Sequence, residues 1–530
     1  MANRRHGEQC RTCAPGPPSG AVPEALGTRI DEALDGVDPA APLWCFADQL
    51  GPAIHGLAQH TEREVVLVES SRALRRRRYH RQKLHLVLSA MRHLDYELGD
   101  RATLHRTATY REALAEVGRP VVVHEPTSWA AARFVADLHE QGLVAAVLPT
   151  TTFALPRADF ADWAGAASRF TMETFYRAQR RRFDVLMDGD QPVGGTWNLD
   201  RSNRERPPKG RRTLGVPEPW WPQEDDIDRR VRSDLDAMDL PTVGGDGPRR
   251  FAVTSGEARA ALRRFVDHRL EQFGPYEDAV MAGDPTMAHS LLSVPFNLGL
   301  LHPLEAVRAA EHAYRDGTAS LRSVEGFVRQ ILGWREYIWH LYWHFGPDYE
   351  AHNELGADTP LPDWWTGLDA DAVRAACLSH TLSGVHETGW VHHIPRLMIL
   401  GNHALQRGYH PRQLSEWFAT SFVDGFAWVM PPNVIGMSQH ADGGRLATKP
   451  YAAGGAYLDR MTDHCRECVF DPSVRVGENA CPFTAGYWQF VHRHRELLSA
   501  NHRTGRAVAQ MHKLPDLDAL LEQEAHRDRF

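Results

Sequence analysis

The chain has 530 residues, of which 42% are hydrophobic and 24% are charged, a composition typical of a globular protein long enough for two or three domains. Its formal net charge of −8 excludes a uniformly basic coat for nucleic acid, although a local basic groove is compatible with it. No stretch approaches the roughly 20 apolar residues of a membrane span, and no apolar signal segment follows the first residues. We therefore expect a cytoplasmic protein without membrane association.

The first 40 residues predict a disordered tail. They include the run APGPPSG at residues 14–20 and few large apolar side chains, so they cannot bury enough surface to offset the entropy of ordering. Cys10 and Cys13 form a C-x2-C pair there, which in such a tail is more often incidental than a metal site.

Residues 41–155 predict an α/β domain. Buried strands are expected where short apolar runs occur, at residues 43–46, 65–68, 121–123 and 143–148. A helix is expected over residues 80–98, where apolar residues recur at helical spacing. Strands that alternate with helices indicate a parallel sheet. Ligands on such sheets bind at the carboxyl ends of strands, so Asp48, Gln49 and Glu69 are candidate pocket residues.

A long connector and a helical domain follow. We assign residues 156–250 to the connector because the stretch from residue 190 onward is rich in proline, glycine and charge. Residues 251–530 predict a large all-α domain. Apolar residues recur there at i, i+3 and i+4 in segments 257–273, 304–314, 324–345 and 394–407.

Three cysteines near the end of the chain, Cys465, Cys468 and Cys481, form a C-x2-C-x12-C run. Three thiolates in one short segment favour zinc or an iron-sulfur cluster, and either would take a fourth ligand from elsewhere. The remaining cysteines, which are candidates for that ligand, are Cys10, Cys13, Cys45 and Cys377.

The helical domain carries further polar candidates. Residues 290–293 (SLLS) can present hydroxyl and backbone N–H groups to a phosphate, although such serines more often only cap a helix. Arg396 and Asp424 are opposite charges that could pair inside the helical core. His392 and His393 precede Arg396 by one turn and could donate protons at the mouth of a pocket, although a buried histidine is usually a hydrogen-bonded core group.

Several longer motifs resemble the photolyase and cryptochrome superfamily, and more narrowly its iron-sulfur bacterial branch, the prokaryotic (6-4) photolyases and related cryptochromes. In the helical domain they are SLLS at 290–293, GWREY at 333–337, HHIPRLM at 392–398, WVMPPNVIGM at 428–437 and ADGG at 441–444. Before that domain they are DQL at 48–50, SAMRH at 89–93 and GGTWN at 194–198. The resemblance runs from about residue 43 to residue 505, and its motifs are long and specific to that branch.

The resemblance implies a fold and two cofactors. Members have an N-terminal α/β antenna domain and a helical domain that holds FAD, with a 4Fe-4S cluster nearby. The implied cluster ligands are Cys377, Cys465, Cys468 and Cys481. The residues implied to line the FAD site are Ser290, Leu291, Leu292, Ser293, Asn297, Trp334, Arg335, Arg396, Asn402, Asp424 and Met430. Trp417 and Trp365 would pass electrons to the photoexcited flavin.

The resemblance also implies light-driven repair of UV-damaged DNA. Excited, reduced FAD would give an electron to a pyrimidine dimer flipped out of the duplex, and the electron would later return. A (6-4) lesion also requires a proton, and we predict that His393 supplies it, with His392 beside it. A cyclobutane dimer would not need that acid, so the histidine pair favours (6-4) repair. We expect the protein to act as a monomer.

Some positions depart from the pattern of this branch. Ala73 and Arg76 stand where an acidic residue and a tyrosine often help to bind a lumazine antenna, which argues against retention of that chromophore. Phe418 follows Trp417 where a tyrosine is common, and a phenyl ring has no phenolic proton to lose. Met430 stands where an acidic residue often lies near the flavin, and a thioether cannot exchange that proton.

Three functions therefore remain open from the sequence. The first is a FAD-dependent (6-4) photolyase, which the histidine pair favours. The second is a cryptochrome-like blue-light photoreceptor without repair activity, which the changes at Phe418 and Met430 favour slightly. The third is a zinc-stabilised nucleic-acid-binding protein, which the cysteine run alone would allow. For the cluster we predict a structural role, because it would close a long loop.

Overall fold

A five-stranded parallel sheet forms the first domain of the computed structural model, which describes residues 24–165 and 171–530. The strands of the protein are β1 Leu43–Trp44, β2 Val65–Ser70, β3 Tyr79–His80, β4 Ala102–Thr107, β5 Val121–His124, β6 Val144–Leu148, β7 Met187–Asp188, β8 Gln191–Pro192 and β9 Thr242–Val243. The order across the sheet is β4-β2-β1-β5-β6, and each neighbouring pair is parallel. Of the two short pairs outside the sheet, β3 joins β9, and β7 joins β8.

Helices cover the sheet and lead into the connector. They are α1 Glu24–Ala33, α2 Pro52–His55, α3 Ser71–Arg75, α4 Arg81–Leu98, α5 Tyr110–Val117, α6 Trp129–Glu140, α7 Arg157–Gly165, α8 Met172–Phe183 and α9 Asp226–Ala237. The connector is therefore partly helical, with α9 packed on α4. No helix in the two described stretches is long and apolar enough to cross a membrane.

The second domain is helical. Its α-helices are α10 Ser255–His268, α11 Leu270–Tyr276, α12 Ser293–Asn297, α13 Pro303–Arg315, α14 Leu321–Val328, α15 Glu336–Phe345, α16 Asp363–Thr366, α17 Ala376–Thr388, α18 Asn402–Arg407, α19 Pro411–Ser421, α20 Gly455–Met461, α21 Pro482–Arg493, α22 Arg495–Ala500, α23 Gly505–Met511 and α24 Leu517–Ala525. Three further segments, Arg329–Arg335, Pro395–Gly401 and Pro432–Ser438, are π-helical. From residue 255 to 530, all of which are described, there are isolated β-bridges but no strands.

The two faces of the sheet belong to different cores, because successive strand residues point to opposite sides. Val66 and Val68 pack with Leu114 and Leu138 under helices α5 and α6. Val65, Leu67 and Val122 instead join the large core that also contains residues of α10 to α14. The sheet domain is thus packed directly on the helical domain.

The predicted fold class, a parallel α/β domain followed by a helical domain, is confirmed. The prediction of a disordered tail over residues 1–40 is wrong from residue 24 onward, because α1 buries Leu26 and Ile30 in the main core. Residues 1–23, including Cys10 and Cys13, lie outside the described part. Strand β4 was not predicted, since its residues are half-exposed and polar ones outnumber apolar ones.

Candidate functional site

Arg396 and Asp424 form a bidentate ion pair inside the helical domain, as the sequence predicted. Arg396 Nη1 and Nη2 donate to the two carboxylate oxygens of Asp424 at 2.8 and 3.0 Å. Ser293 Oγ donates to Asp424 Oδ2 at 2.7 Å, and Asn297 Nδ2 donates to the Asp424 carbonyl at 3.0 Å. These hydrogen bonds offset the cost of burying the charges. Four of the residues predicted for cofactor binding thus meet at one place.

A small, partly open cavity lies next to α12 and is lined by Ser290 and Leu291. Leu291 has a φ of +59°, a left-handed conformation that costs a non-glycine residue about 1 kcal/mol and that clusters at ligand sites. Arg269 also lines the cavity, and its buried Nε has no hydrogen-bond partner among the described residues. Leu292 is fully buried in the core.

Arg335 brings a second buried cation close to α12. Its Nη2 donates to the carbonyl of Phe296 at 3.3 Å, and its Nη1 lies 3.0 Å from Glu336 Oε1. The guanidinium carbon is 4.4 Å from the ring centroid of Phe153. Burial lowers the pKa of Arg335 to about 10. Trp334 packs beside the same aromatic cluster.

Asn402 makes its hydrogen bonds to other protein groups. Its Nδ2 donates to the carbonyls of Met398 at 3.3 Å and Ala453 at 2.8 Å, and its Oδ1 accepts from the Ala453 N–H at 3.0 Å. Met430 is buried and belongs to the core that contains Trp365 and Trp417. The proposed contacts of Asn402 and Met430 with a cofactor stay predictions.

The two adjacent histidines have different surroundings. His392 is buried, stacks on His289 with ring centroids 4.2 Å apart, and has no hydrogen-bond partner for either ring nitrogen in the described part of the chain. Burial lowers the pKa of His392 well below its usual value. The side chain of His393 is exposed, yet the surrounding protein desolvates its imidazolium and, with Arg396, lowers its pKa to about 4.

Aromatic side chains run inward from Arg396. Its guanidinium lies 4.4 Å from the ring centroid of Phe422, and Phe422 lies 5.8 Å from Trp417. The rings of Trp417 and Trp365 are 5.1 Å apart, and Trp365 and Trp364 are 5.6 Å apart. Trp365 is fully buried, whereas Trp364 is half-buried. The two predicted electron carriers are therefore neighbours.

All four predicted cluster ligands line one small cavity. They are Cys377, Cys465, Cys468 and Cys481. A single zinc ion with Zn–S bonds of about 2.3 Å would hold its thiolates within roughly 4 Å of one another. In the described residues no three cysteine sulfurs lie within 4.8 Å of one another. This wider spacing fits a multi-iron cluster better than a single metal ion.

The cysteine cavity is also chemically suited to a cluster. Burial raises the pKa of Cys465 to about 12 and that of Cys377 well above the usual value, so bare thiolates would be costly there. Iron would supply the compensating positive charge. The Ala376 N–H donates to Cys468 Sγ at 3.5 Å, and hydrogen bonds to sulfur are typical of cluster sites.

The residues proposed at the carboxyl edge of the sheet are engaged with the protein. Glu69 accepts two hydrogen bonds from Arg92, at 2.7 and 3.0 Å, in a buried ion pair. Asp48 accepts from Thr127, and Gln49 Nε2 donates to a backbone carbonyl at 3.0 Å. Glu69 is thus a core residue rather than a ligand group.

Comparison with known proteins identifies relatives of this chain. Residues 43–250 match the family model described as "Deoxyribodipyrimidine photo-lyase-related protein". A protein of Agrobacterium fabrum named "(6-4) photolyase" is 38% identical over 482 residues, which cover 88% of this chain and 94% of that protein.

Solved structures share the fold at low sequence identity. A bacterial class III photolyase from Agrobacterium tumefaciens matches with a TM-score of 0.51 and 17% identity, covering 90% of this chain and 98% of that one. The cryptochrome of Synechocystis sp. PCC6803 matches with a TM-score of 0.54 and 12% identity, covering 90% and 99%. Fold and sequence together define a protein of the photolyase and cryptochrome class. Within that class, the chain belongs to the family of bacterial (6-4) photolyases.

Two groups at the site were not predicted from the sequence. Arg269 is one, and the other is Lys83, whose ammonium group reaches the segment that carries Asp424. Neither lies in one of the recognised motifs. Their partners are distant in the chain or lie in loops, so only the folded structure could reveal them.

Proposed function

We propose that this protein uses light absorbed by bound, reduced FAD to repair (6-4) pyrimidine photoproducts in DNA. The relative from Agrobacterium fabrum carries the name of that activity and matches along most of both chains. The structural observation that supports the proposal is the fixed Arg396–Asp424 pair, with the exposed His393 one turn away on the same helix.

The residues around the ion pair fit an anionic cofactor. The guanidinium groups of Arg269, whose Nε is unpartnered, and of Arg335 would hold such a cofactor by charge, and Ser290, Ser293 and Asn297 would add polar groups to the site. When bound, FAD supplies the electron that starts lesion reversal and accepts it again at the end. The chain's own residues would bind and orient the cofactor and exclude water from it.

His393 would hold the proton that the lesion needs. His393 is exposed, so a base flipped out of the duplex could reach it. His392 lies behind it, buried against His289, and would fix the backbone that presents His393. UV-damaged DNA is accordingly the expected partner.

The tryptophan pair would return the flavin to its reduced state. Trp417 stands between Phe422 and Trp365, at centroid distances of 5.8 and 5.1 Å. Close packing of indole rings gives an electron a short path through the core. Phe418 cannot release a proton, so the path would depend on indole rings.

We further propose that the four cysteines hold a 4Fe-4S cluster. The four cysteines line one cavity and two of them, Cys377 and Cys481, are buried, which supports this assignment. The cluster would join the start of α17 to the C-terminal segment and so act as a staple. A lumazine antenna is not part of the proposal because Ala73 and Arg76 occupy the relevant positions.

The repair reaction can be tested on defined DNA. We expect the purified, reduced protein to revert an oligonucleotide with a (6-4) lesion under blue light, and to leave a matched cyclobutane-dimer oligonucleotide unchanged. Chromatography of the products, with a dark control, measures both. The protein should also show flavin absorption and about four irons per chain.

Each outcome of this experiment has a distinct meaning. If neither lesion reverts although flavin is present, repair is excluded and the photoreceptor alternative takes its place. If the cyclobutane dimer reverts instead, the assigned lesion is wrong. Protein without flavin or iron, but with bound zinc, would leave only the nucleic-acid-binding alternative.

A further inference from the structure

A buried lysine of the first domain contacts the segment that carries Asp424. Lys83 lies in the first turn of α4 and is 8% exposed. Its Nζ donates to the carbonyls of Ala419 at 2.7 Å and Phe422 at 3.2 Å, and also to the carbonyl of Gly425. The three ammonium protons thus find three acceptors.

The position of these acceptors explains how a cation is accommodated there. Helix α19 ends at Ser421, and the last carbonyls of a helix have no partner within it. A positive charge at this end also complements the helix dipole. Asp424 raises the pKa of Lys83, but desolvation is stronger and lowers that pKa to about 7.

Packing alone does not require a lysine. No ion pair between Lys83 and a carboxylate occurs in the part of the chain that the structure describes. A buried cation without such a partner is costly, and an apolar side chain of equal length would fill the same space. This cost argues for a role in holding the carbonyls.

Two of these carbonyls, those of Phe422 and Gly425, belong to the turn 422–425, which builds the Arg396 site, and the third, that of Ala419, lies in the last turn of α19. Phe422 contributes the ring that lies 4.4 Å from the Arg396 guanidinium, and Asp424 contributes the carboxylate. Gly425 follows directly, and a Cβ there would lie 2.5 Å from the Phe418 carbonyl, so the turn is tightly wound. Whatever fixes this turn also fixes Asp424 relative to Arg396.

We infer that Lys83 is a positioning residue of the cofactor site: the first domain inserts its ammonium group into the turn 422–425 and so holds Asp424 for Arg396 and Ser293. The inference rests on the proposed function, since it assigns the ion pair to FAD binding. It adds that retention of FAD depends on docking of the sheet domain onto the helical domain.

The neighbouring residue Gln82 provides a matched control. Its Nε2 donates to the carbonyl of Glu387, which lies at the end of α17 and outside the turn 422–425. Gln82→Met and Lys83→Met each remove a polar contact between the two domains and leave a side chain of similar length. Of these two substitutions, only Lys83→Met removes hydrogen bonds to the segment that carries Asp424.

The first measurement is FAD release from the full-length protein, followed by the fluorescence of free flavin. We expect Lys83→Met to release FAD about tenfold faster than the wild type, the change that a loss of about 1.4 kcal/mol would cause. Gln82→Met should release it at the wild-type rate. The effect of Lys83→Met should largely vanish in an Asp424→Asn background, because coupled residues are not additive.

The second measurement needs no cofactor. Amide hydrogen exchange in the turn 422–425 of the FAD-free protein should accelerate in Lys83→Met and not in Gln82→Met. If Lys83→Met does not fold, Lys83→Gln, which keeps donors but not the charge, replaces it in both measurements.

Two results would overturn the inference. One is a lysine variant that releases FAD and exchanges amide hydrogens at wild-type rates. The other is an effect of that variant that adds fully to the effect of Asp424→Asn. If both measurements give the expected results but the protein does not repair DNA, the proposed function is wrong and the inference about Lys83 stands.

Discussion

At the scale of single residues, the surroundings of His393 limit it as the proposed proton donor. Its pKa is lowered to about 4 by desolvation and by Arg396, so the ring is neutral at pH 7 in the cofactor-free chain. An anion beside it would stabilise the protonated form and raise that pKa. Reduced flavin and DNA phosphate are both anions, so the acid would form only in the assembled complex.

Replacement of this histidine tests its assigned role. We expect His393→Ala to keep flavin but to lose (6-4) repair by about a hundredfold, the lower range for a general acid. The yield of repaired oligonucleotide per unit of light measures the loss, and flavin absorption measures binding. His502→Ala, at another exposed histidine, is the control and should repair normally. Full repair by His393→Ala would remove the residue from the mechanism.

Residue-level prediction succeeded where opposite charges stand in apolar surroundings. Arg396 and Asp424 could be paired from the sequence because each carries a charge in an otherwise apolar helical region. Lys83 could not be found in that way, because its acceptors are backbone carbonyls more than 300 residues further along the chain. Every residue has a backbone carbonyl, so the sequence does not show which carbonyls accept such a hydrogen bond.

At the scale of elements, three of the family motifs overlap departures from regular helix, and two of these carry a charged residue of the site. Arg335 lies in the π-helical segment Arg329–Arg335, and Arg396 lies in Pro395–Gly401. Segments of this kind are frequent at functional sites, because the extra residue in the turn redirects side chains. A 3.6-residue pattern predicts regular helices at both places, so periodicity alone could not locate these segments.

The proposed link between α17 and the C-terminal segment can be tested through the four cysteines proposed to hold a cluster. We expect Cys377→Ser to contain far less iron than the wild type and to unfold at a lower temperature, since an open loop restricts the unfolded chain less. Iron per chain and the thermal midpoint are measured together. Cys45→Ser, at a buried cysteine in the sheet domain, should keep its iron.

The two readouts of this experiment separate two claims. Undiminished iron in Cys377→Ser would contradict the assignment of that ligand. Loss of iron without any change in the thermal midpoint would keep the ligand but contradict the structural role of the cluster.

At the scale of the whole molecule, the order of the two domains followed from the sequence but their packing did not. Alternating strands and helices predicted the parallel sheet, and unbroken helical periodicity predicted the second domain. The shared core could not be predicted, because β2 alternates between two buried faces, with Val65 and Leu67 on one and Val66 and Val68 on the other. A strand buried on both faces reads as continuously apolar and reveals neither neighbour.

Buried neutral histidines make a further property of the whole protein predictable. Desolvation lowers the pKa to about 4 at His55, His80, His124 and His302. It lowers the pKa of His340 to about 3. In the unfolded chain these rings would take up protons near pH 6.5, whereas in the folded chain they stay neutral until the pH is much lower. A pH between the histidine pKa values of the unfolded and the folded chain therefore favours unfolding.

We expect the free energy of unfolding to fall steeply between pH 6.5 and pH 4, by about 1.4 kcal/mol per pH unit for each such histidine. Denaturant titrations at several pH values measure the slope. His340→Phe is the matched variant, because the imidazole stacks on Phe160 at 4.5 Å and a phenyl ring can replace it without titrating. For this variant, the free energy of unfolding should fall less steeply with pH, by the contribution of about one proton. Equal slopes would show that His340 is protonated alike in both states, whereas a shallower slope would establish that burial keeps it neutral.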